Sequence, residues 1–298
     1  MQTVEMLQNS YALPNELTFE TGQNGLMFAR IHNQFAEAVV SIQGAHVMSF
    51  QPLGALPVLW MSKQSYFQPE KPIRGGIPIC WPWFGAHPAD SAKPAHGFAR
   101  NQVWTVTNTL HLSNGATFLQ LGLQDSDATR ALWPFSFALE LRVTVGVSLT
   151  VEFVVSNPGT ETMTFTGALH SYFTVSDVAR IAIHGLEQCA YIDKLDEMRS
   201  KIQAEPIMFQ GEVDRMYVET TTDCVIVDPG LQRRIRIAKS GSRSNVIWNP
   251  WMNKSKQMAD FGDDEYHGMV CVETANVATD AISLLPGAQH ALSAHIHV

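Results

Sequence analysis

Between Phe135 and Val175 the chain reads FSFALELRVTVGVSLTVEFVVSNPGTETMTFTGALHSYFTV, a long run in which apolar and polar residues alternate. Successive side chains of a strand point to opposite faces, whereas a helix repeats every 3.6 residues, so this alternation selects half-buried strands. EAVVSIQGAHVMSFQP (37–52) and QVWTVTNTLHLSNGATFLQLGLQ (102–124) show the same habit, broken by the same kinds of turn residue. The pattern predicts an all-β chain, a large antiparallel β-sandwich. Within the longest run, Asn157-Pro158-Gly159 is a turn signal, which makes 147–156 and 162–175 expected hairpin partners. No linker, repeat or low-complexity tract divides the 298 residues, and one domain over 1–298 is expected.

Hydrophobic residues at 45% and charged residues at 16% provide for a sizeable core. The net charge of -8 speaks against a nucleic-acid surface, which needs a basic face, but not against a small anion held by a few local cations. The chain has no apolar run of about 18 residues to span a membrane. Its first residues lack the basic and apolar regions of a signal peptide, so a cytoplasmic address is the expectation. Nothing sets the oligomeric state, and a monomer is expected. Cys80, Cys189, Cys224 and Cys271 are scattered, without a C-x-x-C pair, and read as reduced core residues. His295 and His297 share a strand face but lack a third ligand, so no metal site is expected. The acidic DFGDDEYHG, 260–268, lacks calcium-loop spacing and reads as a solvated loop. Nucleophile-elbow, P-loop and dinucleotide fingerprints do not occur.

Two strand positions stand out of pattern. In MTFTGALHSYFTV, period two places His170 with Thr164, Thr166, Ala168 and Tyr172, away from the face of Met163, Phe165, Leu169, Phe173 and Val175. In HGMVCVETANV it places Glu273 among Met269, Cys271 and Ala275, where desolvation would raise a carboxyl's pKa toward that of a base working near neutrality. Each has a plainer alternative, an exposed strand histidine and a glutamate at a strand end. The segment IRGGIPICWPWFGAHPADSAKPAHGFAR, 73–100, stiffened by prolines, combines Arg74, His96 and Arg100 with Trp81, Trp83 and Phe84. Two guanidinium forks converging on a phosphate fit it, as do two surface ion pairs; the aromatic rings fit a sugar wall or loop packing.

RGGIPICWPWFG, AHGFAR, ALHSYF, DRMY and VCVETA, in this order and spacing, closely resemble the hexose-6-phosphate mutarotases (glucose-6-phosphate 1-epimerases) of the aldose 1-epimerase superfamily. The resemblance runs from about residue 37 to near the C-terminus. It implies a sandwich of the galactose-mutarotase type and cofactor-free interconversion of α and β anomers of a sugar phosphate, most simply glucose 6-phosphate. It also implies that Glu273 is the base on the C1 hydroxyl and His170 the acid on the ring oxygen. By the same resemblance His96 lies near that oxygen, Asp214 binds sugar hydroxyls, and Arg74 and Arg100 surround the phosphate. Ala95 stands where some members carry a substrate-contacting Gln, and Trp248 and Asn249 match a motif without an assigned role. A mutarotase for unphosphorylated aldoses and a non-catalytic carbohydrate-binding protein are the rival expectations.

Overall fold

In the computed structural model, which describes residues 2–298, two eight-stranded antiparallel sheets dominate. In spatial order the first runs Arg199–Ile202, Ala190–Asp193, Val213–Tyr217, Ser244–Asn249, Met269–Asn276, Gly167–Leu169 and Ile79–Cys80, with Tyr172–Thr174 also paired to Met269–Asn276. The second runs Ala182–His184, Cys224–Asp228, Arg233–Ser240, Gln289–His297, Leu149–Ser156, Ala138–Val145, Thr117–Gln124 and Thr105–His111. A four-stranded N-terminal sheet and the two-stranded pair Met163–Phe165 with Ile282–Leu284 complete the β-structure. The three α-helices, Val4–Tyr11, Asp127–Leu132 and Trp251–Ser255, are short.

Alternation does what it predicts in the second sheet. Leu139, Leu141, Val143 and Val145 are fully buried while their neighbours Ala138, Glu140, Arg142 and Thr144 are half-exposed. This inner face packs against the first sheet, where Met269–Asn276 meets Gln289–His297. Met269–Asn276 is buried along its whole length. By strand alternation Val270 and Val272 share one face and Cys271 and Glu273 the other, and Glu273 lines a cavity on the outer surface of the first sheet. A carboxylate on a strand covered on both sides has no path to bulk water except through a pocket.

Two expectations about the chain's course fail. Residues 147–156 and 162–175 are not hairpin partners: Leu149–Ser156 pairs with Ala138–Val145 and Gln289–His297, and Met163–Phe165 pairs with Ile282–Leu284. The Asn157 side chain accepts from Gly159 N and donates to the carbonyls of Glu161 and Leu284, so the turn anchors a change of sheet rather than a reversal. Nor is 162–175 one strand. It is three short ones, and His170 and Ser171 lie in the break between Gly167–Leu169 and Tyr172–Thr174. The face of His170 is accordingly covered, not exposed: His170 is 7% accessible and Tyr172 1%.

The 260–268 loop is only partly the solvated loop expected, with Asp263, Asp264 and His267 exposed. Asp260, Phe261 and Tyr266 are buried, and the Glu265 carboxylate accepts from Ser62 Oγ, Lys63 N and Gly262 N, which pins the loop to the segment after Met61. Cys80, Cys224 and Cys271 are buried free thiols, and Cys189 is half-buried. His295 bonds Thr150 Oγ1, and no group of three metal-ligating side chains occurs among the described residues. No helix among them is long and apolar enough to cross a membrane.

Candidate active site

Central strands place a carboxyl and an imidazole at the floor of a cavity of about 300 Å³ on the outer face of the first sheet. Glu273 comes from Met269–Asn276 and His170 from the break beside it, with Nε2 3.4 Å from Glu273 Oε1. Neither has another side-chain partner: His170 Nδ1 and Glu273 Oε2 are buried and without hydrogen bonds. Burial, reinforced by Asp214, raises the Glu273 pKa well above the ordinary carboxyl value, against the pull of Lys194 and Arg100. Burial, then His96, Arg100 and Arg74, pushes the His170 pKa well below the usual imidazole range. The two proton affinities are thereby moved toward each other, as suits a pair that exchanges a proton.

The walls come from the 73–100 segment and the strand ends. Arg74, His96 and Arg100 all reach the cavity, as do Asp214, Phe84, Ala95 and Trp248. Chain geometry explains how. Residues Gly75 and Gly76 have positive φ, and a Cβ on Gly76 would stand 2.3 Å from the Val47 carbonyl, so only glycine lets the Arg74 turn lie this close to the N-terminal sheet. Likewise His96 and Gly97 both lie in the left-handed region, and a Gly97 Cβ would fall 1.9 Å from Trp81 O. A left-handed, non-glycine His96 costs roughly 1–3 kcal/mol of backbone strain and is held by its surroundings, with Nδ1 accepting from Gly85 N. Its ring is therefore the Nε2–H tautomer when neutral, and burial keeps it neutral.

The two arginines differ. Arg74 is held by the Asp260 carboxylate at 3.1 Å from Nε and 3.1 Å from Nη2, and its Nη1 donates to Tyr172 Oη at 3.0 Å. Three of its five N–H groups are so occupied and two remain. Arg100 donates from Nη2 to Ala95 O, its Nε is buried without a partner, and it has no carboxylate partner among the described residues. Of the rings in the segment, Trp81 is buried against Trp133, Phe137 and Phe98, and Trp83 packs on Phe98 and His87. Only Phe84 reaches the cavity.

Sequence reasoning missed four groups here. Lys194 lines the cavity, pairs with Asp214 at 2.6 Å and lies over the Phe84 ring at 5.8 Å. Lys254, exposed on the short 251–255 helix, stands at the rim. Tyr172 and Asp260 stand behind His170 and Arg74. Trp248 is now a wall, its ring nearly perpendicular to those of His170 and Tyr172, whereas Asn249 is structural and donates to the Tyr266 and Met269 carbonyls. A larger cleft of about 650 Å³ lies between Pro57 and the 262–268 loop, but it contains no acid/base pair of this kind.

A sequence model of the family described as Aldose 1-epimerase matches residues 28–297, nearly the whole chain. The chain belongs to the aldose 1-epimerase family. Among its relatives, a protein of Cenchrus ciliaris is 37% identical over 84% of this chain and 78% of its own length, and one of Escherichia coli strain K12 is 38% identical over 80% and 79%. Both are named "Putative glucose-6-phosphate 1-epimerase". The crystal structure of "a putative mutarotase (YeaD)" from Salmonella typhimurium superposes with a TM-score of 0.89 at 33% identity, covering 96% of this chain and 95% of the other. The expected galactose-mutarotase type of sandwich is thus the observed one.

One buried histidine of this epimerase-family chain serves the architecture. His46 Nε2 donates to the Gly75 carbonyl at 2.7 Å, beneath the Arg74 turn, and burial lowers its pKa to about 4. The unfolded chain takes up this proton near 6.5, so between about 6.5 and 4 unfolding binds more protons, and stability falls as pH falls. At 1.36 kcal/mol per unit the loss is about 3 kcal/mol once pH is below 4. Denaturant titrations at pH 7 and pH 4 are expected to show a markedly smaller pH-dependent loss in His46→Gln than in the wild type; equal losses would remove His46 from the account.

Proposed function

We propose that this enzyme interconverts the α and β anomers of a hexose 6-phosphate, D-glucose 6-phosphate being the simplest substrate. One observation carries the reading: an otherwise unpartnered carboxyl and imidazole meet at 3.4 Å on a cavity floor whose wall holds Arg100, a guanidinium with no carboxylate partner among the described residues. A sugar 6-phosphate has a dianion for Arg100 and, along the C5–O5–C1 edge of its ring, a ring oxygen and a C1 hydroxyl for the pair. The relatives' names support the same reading.

In this mechanism the phosphate dianion offsets the arginine charges that, after burial and His96, disfavour protonation of His170, and the reaction starts with the proton on the imidazole. The Glu273 carboxylate then removes the proton of the C1 hydroxyl while His170 gives its proton to the ring oxygen. The C1–O5 bond breaks as the C1 carbonyl forms. The proton is now on Glu273 and His170 is neutral. Rotation about C1–C2 presents the other aldehyde face, and the same transfers in reverse close the ring. His96, as an Nε2–H donor, supports the ring oxygen. Asp214, anchored by Lys194 through Oδ2, offers Oδ1 to sugar hydroxyls.

Every proton in this scheme moves between side chains and sugar, so no metal or organic cofactor is called upon, and exhaustive chelation is expected to leave the rate unchanged. Restoration of a chelated enzyme by one divalent ion would overturn that. We take the protein to be a single-domain, cytoplasmic monomer acting on a small molecule. The decisive measurement is anomer exchange by NMR on glucose 6-phosphate, galactose 6-phosphate and glucose side by side. Acceleration of glucose alone would point to a mutarotase for unphosphorylated aldoses, and binding without acceleration to a carbohydrate-binding protein.

A further inference from the structure

A histidine that exchanges protons is ordinarily aimed by a hydrogen bond at its second ring nitrogen. His170 has none: Nδ1 is buried and unpartnered. What holds the ring is a stack. The Tyr172 ring lies parallel to it, centroids 4.8 Å apart and planes 13° apart, and Trp60 stacks against Tyr172 at 5.7 Å and 22°. Tyr172 is in turn fixed at its hydroxyl by Arg74 Nη1, and the Arg74 guanidinium is locked in its plane by the two-point grip of Asp260. Asp260, 8% accessible, belongs to the loop that Glu265 ties to Ser62 and Lys63. An unbroken series of contacts therefore leads from a pinned loop to the imidazole.

We propose that Tyr172 and Asp260 are positioning residues of the anomerisation site: Asp260 orients Arg74, Arg74 tethers the Tyr172 hydroxyl, and the Tyr172 ring aims His170 at Glu273. This rests on the acid/base reading of that pair. Arg74 then has two duties, because its two free N–H groups serve the anion while its occupied ones steady the acid. The Tyr172 end of the route acts on proton transfer and not on phosphate capture, so its loss is felt by a sugar with a phosphate and by one without, whereas loss of Asp260 also loosens the anion donors of Arg74.

The test compares Asp260→Asn, Tyr172→Phe and Tyr172→Leu with the wild type, each checked for folding by circular dichroism and thermal melting. A misplacement of about 1 Å in such a site costs up to about 100-fold. Tyr172→Leu, which removes the stacking ring, is expected to lower kcat on glucose 6-phosphate by about 100-fold. Tyr172→Phe, which keeps the ring and loses the tether, and Asp260→Asn, which keeps the shape and loses the charge, are expected to lower it by about 3- to 10-fold. In the two Tyr172 variants KM should change little and kcat/KM on unphosphorylated glucose should fall in the same proportion; in Asp260→Asn kcat should fall on both sugars, with an added rise in KM for glucose 6-phosphate. Should the leucine variant not fold, the other two decide. Folded variants with wild-type kcat would overturn the proposal, as would a loss confined to KM for glucose 6-phosphate, which would make Asp260 an accessory of the phosphate grip. A wild-type protein without anomer exchange on either sugar would instead sink the functional reading beneath it.

Discussion

Glu273→Gln and His170→Asn are each expected to lower the anomerisation rate of glucose 6-phosphate by about 10²- to 10⁴-fold, the span that a general acid or base supplies, with the fold intact. Glu273→Gln is expected to do more. Glu273 is fully buried with Oε2 unsatisfied, and its folded pKa is raised well above 4.5. A raised carboxyl pKa means that stability is complete below the unfolded value and declines as pH rises toward the folded one. The wild type therefore bears a growing penalty above pH 4.5 that the glutamine variant does not, and the variant should become progressively more stable relative to wild type as pH rises. An inactive variant that gains stability marks a residue kept for its chemistry at a cost to the fold. A folded variant of either residue that kept most of the wild-type rate constant would remove that residue from the mechanism. A Glu273→Gln variant that became relatively less stable with rising pH would show that the carboxyl is not buried as described.

Both members of the pair were legible because a strand's period is two. In Met269–Asn276 the parity is uninterrupted, so one glutamate among Met269, Cys271 and Ala275 stands out wherever the sheet lies. His170 came out on the correct side for an incomplete reason: the parity of 163–175 survives two breaks in the strand, but the plainer alternative of an exposed histidine does not. The parity of a sequence tells which residues share a face, not whether a second layer covers that face. The segment 73–100 advertised itself by its glycines and prolines, yet only Phe84 of the rings singled out in it reaches the cavity, since Trp81 and Trp83 have the same local pattern and point into the core. Asp260 was hidden altogether, because its partner is 186 positions away and nothing local separates a carboxylate that grips a buried arginine from its solvated neighbours. Lys194 was hidden for the same reason: it follows the strand Ala190–Asp193 in a charged turn, and only the pairing of that strand with Val213–Tyr217 brings it to Asp214.

The unequal surroundings of the two arginines lead to the last expectation, that Arg100 determines selectivity for the phosphorylated sugar and Arg74 does not do so alone. Arg100 is a charge held by burial below its ordinary pKa, with a buried Nε and no carboxylate partner among the described residues. A dianion supplies what is missing. Charge-assisted hydrogen bonds contribute about 1.5–3 kcal/mol each, so Arg100→Ala should reduce kcat/KM for glucose 6-phosphate by about 10- to 150-fold while leaving glucose nearly unaffected. Arg100→Lys should recover only part, because an ammonium cannot reproduce the planar fork. Arg74→Ala should reduce both sugars, since it removes two anion donors and also frees the Tyr172 hydroxyl behind His170. The free protein supplies an independent check. Inorganic phosphate should raise the melting temperature of the wild type by mass action, and should do so much less in Arg100→Ala. Proportional losses on both sugars in Arg100→Ala, with the thermal shift by phosphate intact, would mean that this arginine supports the loop and that the anion is bound elsewhere.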